Sequence, residues 1–372
     1  MKKIKFSIPN IKNSHLNDVK RVLKSGWLTH GKYTELFENQ FKKFTKSRFA
    51  LTVSSCTAGL HLICLASGFK KGDEVIVPAM SHTATSHAIE YTGAKAVFCD
   101  VNYPSGNISV EMIKRKITKK TKGVIVVHMA GHPCDLENIL NFCKKKRLTL
   151  IEDCAHAIGT LHKKKHAGNY GVAGSFSFYP TKQITTGEGG MVIVNNKKLF
   201  LKLKMLKQFG IDKDIKDRKK QGEYNVKDLG YNYRMTDFQS SLGYNQMLNY
   251  KKNLSIRHLI AKRYIKNFKN SENIDHMEYS KDCSFFVFQI FCKKRDLLLK
   301  HLKKRGIGVS VHYINPLPKM EYYKKKYDLK ISDFKIAKMY ADRNISLPIY
   351  PKLSLHNVDF ISNVIKRFID EK

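Results

Sequence analysis

One lysine, Lys182, is the residue around which the chemistry of this sequence is best argued. It lies in SFSFYPTKQITTGEGG, residues 175–190, among aromatic and small residues. Burial among such residues lowers a lysine pKa, and an unprotonated amine can form a Schiff base with an aldehyde. The three glycines that follow allow a ligand to approach the backbone closely. The alternative is a hairpin with a surface lysine, because the chain holds 68 lysines and arginines.

An acidic pair stands upstream in IEDCAHAIG, residues 151–159, directly after the apolar run LTLI. We expect a strand to end at this pair and a helix to start in the small residues that follow. His156 would then lie one helical turn beyond Asp153. Taken singly, these residues also have structural interpretations: Asp153 as a helix cap, His156 as a core residue and Ser177 as an ordinary strand residue.

A third group of polar residues follows FALTVSS, which we expect to be a buried strand running into a helix. The free N–H groups and the positive dipole end of a helix N-terminus bind anions. Ser55, Cys56 and Thr57 therefore form a candidate phosphate site. The alternative is simple helix capping by Ser54 or Ser55.

The sequence predicts no metal site. His128, His132 and Cys134 are close in the chain, but their spacing matches none of the standard zinc patterns. No second cluster supplies the remaining ligands that a structural zinc site would need. We therefore expect no metal to take part in the chemistry.

Strands and helices must position these groups, and their order predicts the fold class. Apolar runs predict strands at 49–55, 72–80, 96–101, 123–131, 148–153 and 285–291, and a strand followed by a loop at 307–318. Apolar residues at helical spacing predict helices at 14–25, 33–46, 81–93, 135–147, 197–209, 250–268 and 296–306. This alternation predicts an α/β fold with a mainly parallel sheet, whose ligand site lies beyond the carboxyl ends of the strands.

The composition limits the class of protein. A chain of 372 residues with 42% hydrophobic content can bury a large core, and we expect two domains that share one ligand cleft. No apolar run approaches the length of a membrane helix, and the basic N-terminus lacks the apolar segment of a signal peptide. Eight dispersed cysteines fit reduced thiols, so we expect a cytoplasmic protein without a membrane partner.

The net charge of +37 raises the alternative of a nucleic-acid-binding or regulatory protein. The lysines are scattered in short runs rather than gathered in one stripe, and no nucleic-acid-binding motif accompanies them. We interpret the charge as a solvated surface that helps to attract an anionic nucleotide substrate, and we expect no nucleic-acid partner.

Six segments together resemble the DegT/StrS-type family of pyridoxal phosphate (PLP) sugar-nucleotide aminotransferases, in the order that this family shows. They are SSCTAGLHL, GDEVIVPAM, IEDCAHAIG, SFSFYPTK, TTGEGGMV and LGYNYRMTDFQ. The resemblance runs from GWLT at 26–29 to HYINPLP at 312–318. It implies the fold-type-I PLP-dependent transferase fold, similar to aspartate aminotransferase. The large PLP-binding α/β domain would span residues 1–250 and the small C-terminal α/β domain residues 251–372.

The resemblance also implies roles for individual residues in binding PLP. Lys182 would form the Schiff base and act as the catalytic base, and Asp153 would pair with the pyridine nitrogen. The phosphate would be held by Ser55, Cys56, Thr57 and Ser177, although many members carry glycine where Cys56 stands. His82 would stack on the ring, where relatives usually have an aromatic residue, and His156 would touch the ring hydroxyl. Asn232 and Arg234 would reach the other subunit's site, which implies a homodimer with shared active sites. Near the sugar, the resemblance places Thr29, His312 and Tyr313.

The expected reaction is amino transfer, with L-glutamate as donor, to a nucleotide-linked keto sugar for amino-sugar and surface polysaccharide synthesis. The loop TTGEGG resembles members that aminate C4 of 4-keto-6-deoxyhexoses, whereas members acting at C3 more often show a G-D-G-G-type loop. The alternatives within the fold are a C3 aminotransferase, a non-catalytic sensor and a PLP-dependent sugar dehydratase. Dehydratases of this kind replace the lysine with histidine, and Lys182 is present here.

Overall fold

A seven-stranded sheet forms the centre of the computed structural model, which describes residues 3–213 and 218–371. The strands in chain order are β1 (Phe49–Val53), β2 (Glu74–Pro78), β3 (Lys95–Cys99), β4 (Thr121–Val127), β5 (Thr149–Asp153), β6 (Leu161–His162), β7 (Lys165–His166), β8 (Ala173–Ser177), β9 (Gly190–Val194), β10 (Asp275–His276), β11 (Phe288–Phe291) and β12 (Asn344–Leu347). The central sheet has the order β1-β9-β8-β5-β4-β2-β3, and only β9 runs antiparallel to its neighbours. The predicted α/β fold with a mainly parallel sheet is confirmed.

Helices connect these strands and pack against them. They are α1 (Asn13–Ser25), α2 (Lys32–Thr45), α3 (Cys56–Ala66), α4 (Thr83–Glu90), α5 (Val110–Lys114), α6 (Leu136–Lys146), α7 (Lys197–Leu206), α8 (Asp237–Leu248), α9 (Tyr250–Phe268), α10 (Arg295–Lys304), α11 (Glu321–Tyr327), α12 (Lys335–Arg343) and α13 (Leu355–Asp370). Short 3₁₀ helices lie at Met129–Gly131, Leu317–Lys319 and Ile331–Phe334. None of the helices in the described residues is long and apolar enough to cross a membrane.

The central sheet is buried on both faces. In β9, Met191 and Ile193 belong to one apolar cluster, whereas Val192 and Val194 belong to another. Successive side chains of a strand point to opposite faces, so an uninterrupted apolar run is what a doubly covered strand requires. This is why the strands of the sheet read as continuous apolar runs in the sequence.

A second, three-stranded antiparallel sheet of order β10-β11-β12 lies in the C-terminal part of the chain. Helix α9 begins at Tyr250, directly after α8, and packs against α13. The predicted change of domain after residue 250 thus falls at the first residue of α9. The domain limits themselves stay a prediction.

Two sequence predictions about local structure are wrong. No strand forms at the start of 307–318; Ile307 and Ser310 make only isolated bridges, and β12 supplies the strand that pairs with β11. No helix follows Asp153 either, because residues 154–159 form turns. The Asp153 carboxylate accepts the Ala155 N–H and Gly159 has a φ of +89°, a conformation that ends any helical path.

Helix α1 ends as predicted at Gly26, whose φ is +71°. The neighbouring Trp27 is 57% exposed within this chain. The structural alternative for Trp27, a packed apolar anchor, is therefore not realised within the single chain.

Candidate active site

Lys182 lies in the connection of the β8–β9 hairpin, where its backbone N–H donates to the Tyr179 carbonyl at 2.9 Å. The side chain is half-buried, and its Nζ atom lies 4.3 Å from the centre of the Phe286 ring. Burial lowers the pKa of Lys182 to about 8, although nearby Cys56 and Asp153 act in the opposite direction. The predicted hairpin therefore exists, but the lysine is not a freely solvated surface residue.

Asp153 is the last residue of β5 and is only 4% exposed. Its Oδ1 atom accepts the Ala155 N–H at 3.0 Å and lies 4.0 Å from the Cys56 sulfur. Its Oδ2 atom accepts the hydroxyl of Thr85 at 2.7 Å. A buried carboxylate therefore lies close enough to Lys182 to influence its charge.

The predicted phosphate residues lie at the same edge of the sheet. Ser55 caps α3, because its Oγ atom accepts the Ala58 N–H at 3.0 Å. Capping by Ser55 is thus realised, and it leaves the first N–H groups of α3 at the sheet edge. Ser177 lies in one row with Gly190 and Val53 of the adjacent strands, which places it about 10 Å from the end of β1.

Gly190 explains how β9 passes so close to this helix N-terminus. A Cβ atom at this residue would lie 2.6 Å from the Ser55 carbonyl carbon and 2.7 Å from the Cys56 nitrogen. Any side chain here would push the N-terminus of α3 away from the sheet. The last glycine of TTGEGG is therefore required by packing, and the loop reaches its path only because this side chain is absent.

Two aromatic side chains, Phe286 and Tyr313, and three histidines lie on the other side of the lysine. The ring of His156 is stacked on that of Phe286, with 4.2 Å between centroids, and its Nε2 atom lies 3.3 Å from the Tyr313 hydroxyl. Burial lowers the pKa of His156 well below its usual value, and the charge of Lys182 lowers it further. Its Nδ1 atom is buried and has no hydrogen-bond partner among the described residues.

His312 and His82 lie beside the same aromatic side chains. His312 is held by Ser346, whose Oγ atom lies 2.9 Å from its Nδ1 atom, and burial lowers the His312 pKa to about 3. His82 caps α4, since its Nδ1 atom accepts the Ala84 N–H at 3.2 Å, and its ring lies 5.8 Å from that of Tyr313. Its ring is exposed, so a face remains available for stacking.

The structure does not bring the remaining predicted residues to the lysine of the same chain. Thr29 and Arg234 line a separate groove of about 590 Å³, together with Phe209 and Tyr224. The Arg234 guanidinium lies 5.0 Å from the Phe209 ring centre. Asn232 is exposed, and its backbone forms an isolated bridge to Gln208.

The other member of the acidic pair, Glu152, has a different environment. Its carboxylate lies 3.2 Å from His128 Nε2 and accepts three backbone N–H groups, from Gly168, Tyr170 and Gly171. Burial alone would raise the Glu152 pKa, but these hydrogen bonds hold it below its usual value.

Glu152, His128 and Cys154 lie close enough together to be considered as metal ligands. The His128 Nδ1 atom accepts the Cys134 N–H, so its Nε2 atom carries the proton directed at Glu152. Both Glu152 oxygens already accept two donors each. The lone pairs that a metal would need are therefore engaged within the protein.

Sequence reasoning missed three residues at the site: Ser81, Thr85 and Phe286. Thr85 and Ser81 stand four residues apart, but Ser81 precedes α4, so helical spacing does not relate their side chains. Phe286 belongs to the apolar run 285–291, which gives no sign that one of its rings faces a lysine. None of the three residues therefore had a usable signal in the sequence.

PLP requires a lysine amine, a carboxylate for its pyridine nitrogen and an anion cradle for its phosphate. The structure offers these groups at one edge of a mainly parallel sheet, and the buried Nδ1 atom of the neighbouring His156 has no hydrogen-bond partner among the described residues. The residues present therefore fit this cofactor. Fold and site together define a PLP-dependent transferase of fold type I.

Comparison with known proteins specifies the family. The chain belongs to the DegT/DnrJ/EryC1/StrS aminotransferase family, whose model matches residues 9–366. It is 36% identical to the GDP-perosamine synthase of Escherichia coli O157:H7 over the full length of both chains. Spr1654 from Streptococcus pneumoniae, solved in PLP and PMP forms, superimposes with a TM-score of 0.93 at 29% identity, and the alignment with the PLP form covers 100% of this chain and 99% of that chain. Helicobacter pylori PseC, an aminotransferase of pseudoaminic acid biosynthesis, superimposes with a TM-score of 0.92 at 28% identity over 100% of both chains. The protein is thus a PLP-dependent sugar aminotransferase.

Proposed function

We propose that this enzyme transfers an amino group from L-glutamate to C4 of a nucleotide-linked 4-keto-6-deoxyhexose. We further propose that it works in the cytoplasm as a homodimer with shared active sites, and that its product enters surface polysaccharides. The observation that supports amino transfer is the environment of Lys182, which is half-buried with its amine against the Phe286 ring. A pKa of about 8 leaves part of the amine unprotonated near neutral pH, which an ordinary lysine pKa of 10.5 does not.

The residues around Lys182 support defined roles in amino transfer. PLP supplies the electron sink on which the amino group is exchanged. Lys182 would hold the cofactor through Nζ, and its amine, when not bound to the cofactor, is the base that can take up and release a proton at the site. Asp153 would accept a hydrogen bond from the pyridinium nitrogen and would stabilise its charge. His156 would touch the ring hydroxyl, and its buried Nδ1 atom has no other partner among the described residues, while the Phe286 ring covers the Lys182 amine.

The choice of sugar rests on the loop after the lysine and on one relative. TTGEGG resembles the loop of members that aminate C4, and the GDP-perosamine synthase of E. coli is named for a GDP-linked product. Lys163, Lys164 and other surface lysines give the enzyme a positive field that attracts an anionic sugar nucleotide.

The shared site is supported by what lies around Arg234. Thr29 and Arg234 line a groove that is separate from the Lys182 site of their own chain. Several apolar side chains near this groove are exposed. Leu229 is 77% exposed and Val226 57%. A second subunit that covers these side chains would receive Asn232 and Arg234 at its own cofactor, as the sequence resemblance implies.

The first test is the absorbance of the purified protein with added PLP, before and after glutamate, alongside Lys182→Ala. We expect a visible Schiff-base band in the wild type that glutamate bleaches, and none in the variant. Glutamate conversion in stoichiometric amounts would accompany the bleaching. A wild-type protein without the band would contradict the assignment of Lys182, and a band that glutamate leaves unchanged would contradict glutamate as donor.

The second step supplies glutamate and GDP-, UDP- or dTDP-linked 4-keto and 3-keto sugars, with the amine located in the product by NMR. We expect product only from the 4-keto sugars. Amination of a 3-keto sugar instead would assign the C3 reaction. Light scattering of the same preparation is expected to give twice the chain mass.

A further inference from the structure

The second oxygen of Asp153 has a partner that sequence reasoning did not anticipate. Thr85 Oγ1 lies 2.7 Å from Asp153 Oδ2, and Ser81 Oγ lies 2.7 Å from Thr85 Oγ1. Thr85 is 0% exposed and Ser81 1% exposed. The two hydroxyls therefore form a buried chain that ends on the carboxylate.

The direction of this chain follows from the donors available. An ionised carboxylate only accepts hydrogen bonds, so Thr85 donates its single hydroxyl proton to Asp153. The proton between the two hydroxyls must then come from Ser81, with the Thr85 oxygen as acceptor. Each hydroxyl thus has a fixed orientation, and Thr85 presents its donor to Asp153 alone.

A comparison within the same helix shows that this arrangement is not ordinary helix chemistry. Serine and threonine hydroxyls inside helices usually donate to a carbonyl three or four residues earlier. The next residue, Ser86, does so, because its Oγ atom donates to the Thr83 carbonyl at 3.0 Å. Thr85 instead donates to a residue 68 positions later in the chain.

We propose that Thr85 is a positioning residue of the active site, which holds the Asp153 carboxylate in the orientation that receives the pyridinium nitrogen. Ser81 in turn fixes the Thr85 hydroxyl. A hydrogen bond to a charged acceptor is among the stronger ones in proteins, and it also stabilises the negative charge that the cofactor ring requires. This inference rests on the proposed role of Asp153.

The test measures the dissociation constant of PLP by titration of the visible band in Thr85→Val, which keeps the side-chain shape and removes the hydroxyl. We expect PLP binding to weaken roughly tenfold to hundredfold, the range for loss of a hydrogen bond to a charged group. Thr85→Ser should restore binding to within a few-fold of the wild type, and Ser81→Ala should give a smaller loss. Ser86→Ala is the matched control, because it removes a buried hydroxyl of α4 that does not contact Asp153.

A double-mutant cycle with Asp153→Asn separates positioning from a general structural effect. If Thr85 acts through Asp153, Thr85→Val should change PLP binding little in the Asp153→Asn background. Equal losses in both backgrounds, or unchanged binding in Thr85→Val, would overturn the inference. Should Thr85→Val fail to fold, Ser81→Ala in the same cycle takes its place. A wild-type protein without a visible band would instead overturn the proposed function.

Discussion

Glu152 and Asp153 are adjacent acids at the end of one strand, yet they serve opposite faces of the sheet. Glu152 is 0% exposed and is surrounded by His128 and three backbone N–H groups. Asp153 faces the lysine and the N-termini of α3 and α4, with Thr85 and Ala155 as its donors.

The difference shows how one acidic pair can combine two tasks. The Glu152 oxygens are saturated by groups that belong to the fold, so this carboxylate ties the turn at 168–171 to the sheet. Each Asp153 oxygen has one close donor, and a carboxylate has room for about four. The Asp153 oxygens can therefore accept further hydrogen bonds, which a cofactor can donate. Variants at the two residues should therefore fail in different ways.

The largest effect on activity is expected from Asp153→Asn. The amide keeps the shape of the side chain but cannot stabilise a positive charge on the pyridine nitrogen. We expect kcat to fall by about 10²–10³-fold, the range for removal of a preorganised electrostatic contact, while the variant stays folded. Steady-state kinetics and circular dichroism would measure the two properties. If the Asp153→Asn variant does not fold, the Asp153 carboxylate has a structural role like that of Glu152.

The next effect concerns stability. In Glu152→Gln the amide group would face backbone donors, so we expect unfolding to require about 3 kcal/mol less at neutral pH. Folded Glu152→Gln should keep kcat within a few-fold of the wild type. Denaturant titrations of both proteins would measure the loss. A large fall in kcat without loss of stability would contradict the separation of the two roles.

This contribution of Glu152 should depend on pH. The folded pKa lies below the ordinary value of 4.5, so the stabilisation is complete above pH 4.5 and is lost as the pH falls through the folded pKa. The difference in unfolding free energy between wild type and Glu152→Gln should therefore shrink on acidification below pH 4.5. A difference that stays constant there would argue against an ionised Glu152 carboxylate in the folded protein.

The smallest effect is expected from Phe286→Leu, on the Asp153 side of the sheet. The ring face attracts the protonated amine of Lys182, and such contacts are worth about 0.5–2 kcal/mol. Loss of this contact should lower the pKa of Lys182 below its value of about 8, by about 0.4–1.5 units. The rate of Schiff-base formation, which needs the neutral amine, should then rise at lower pH than in the wild type.

Phe176→Leu is the matched control, because Phe176 is a buried ring in the cluster on the opposite face. We expect it to alter stability without moving the pH dependence of Schiff-base formation. Equal shifts in both variants would show that the pKa responds to loosened packing rather than to the ring beside Lys182.

Much of this protein is determined by local sequence. Apolar runs such as LTLI and MVIV predict strands buried on both faces, because only an uninterrupted apolar run suits a sheet covered by helices on each side. The lysine, the acid and the small polar residues at strand ends were also predictable in kind, since ligands of α/β sheets lie beyond these ends.

Tertiary structure decided which partner each group has. The sequence could not show that Glu152 is saturated and Asp153 is available, that Thr85 donates to Asp153, or that Phe286 lies against Lys182. It also predicted a helix after Asp153 where turns form. These outcomes depend on contacts between residues far apart in the chain, such as the 68 positions between Thr85 and Asp153. Local patterns fix strands and helices, whereas the state of a buried charge is set by the groups that folding brings around it.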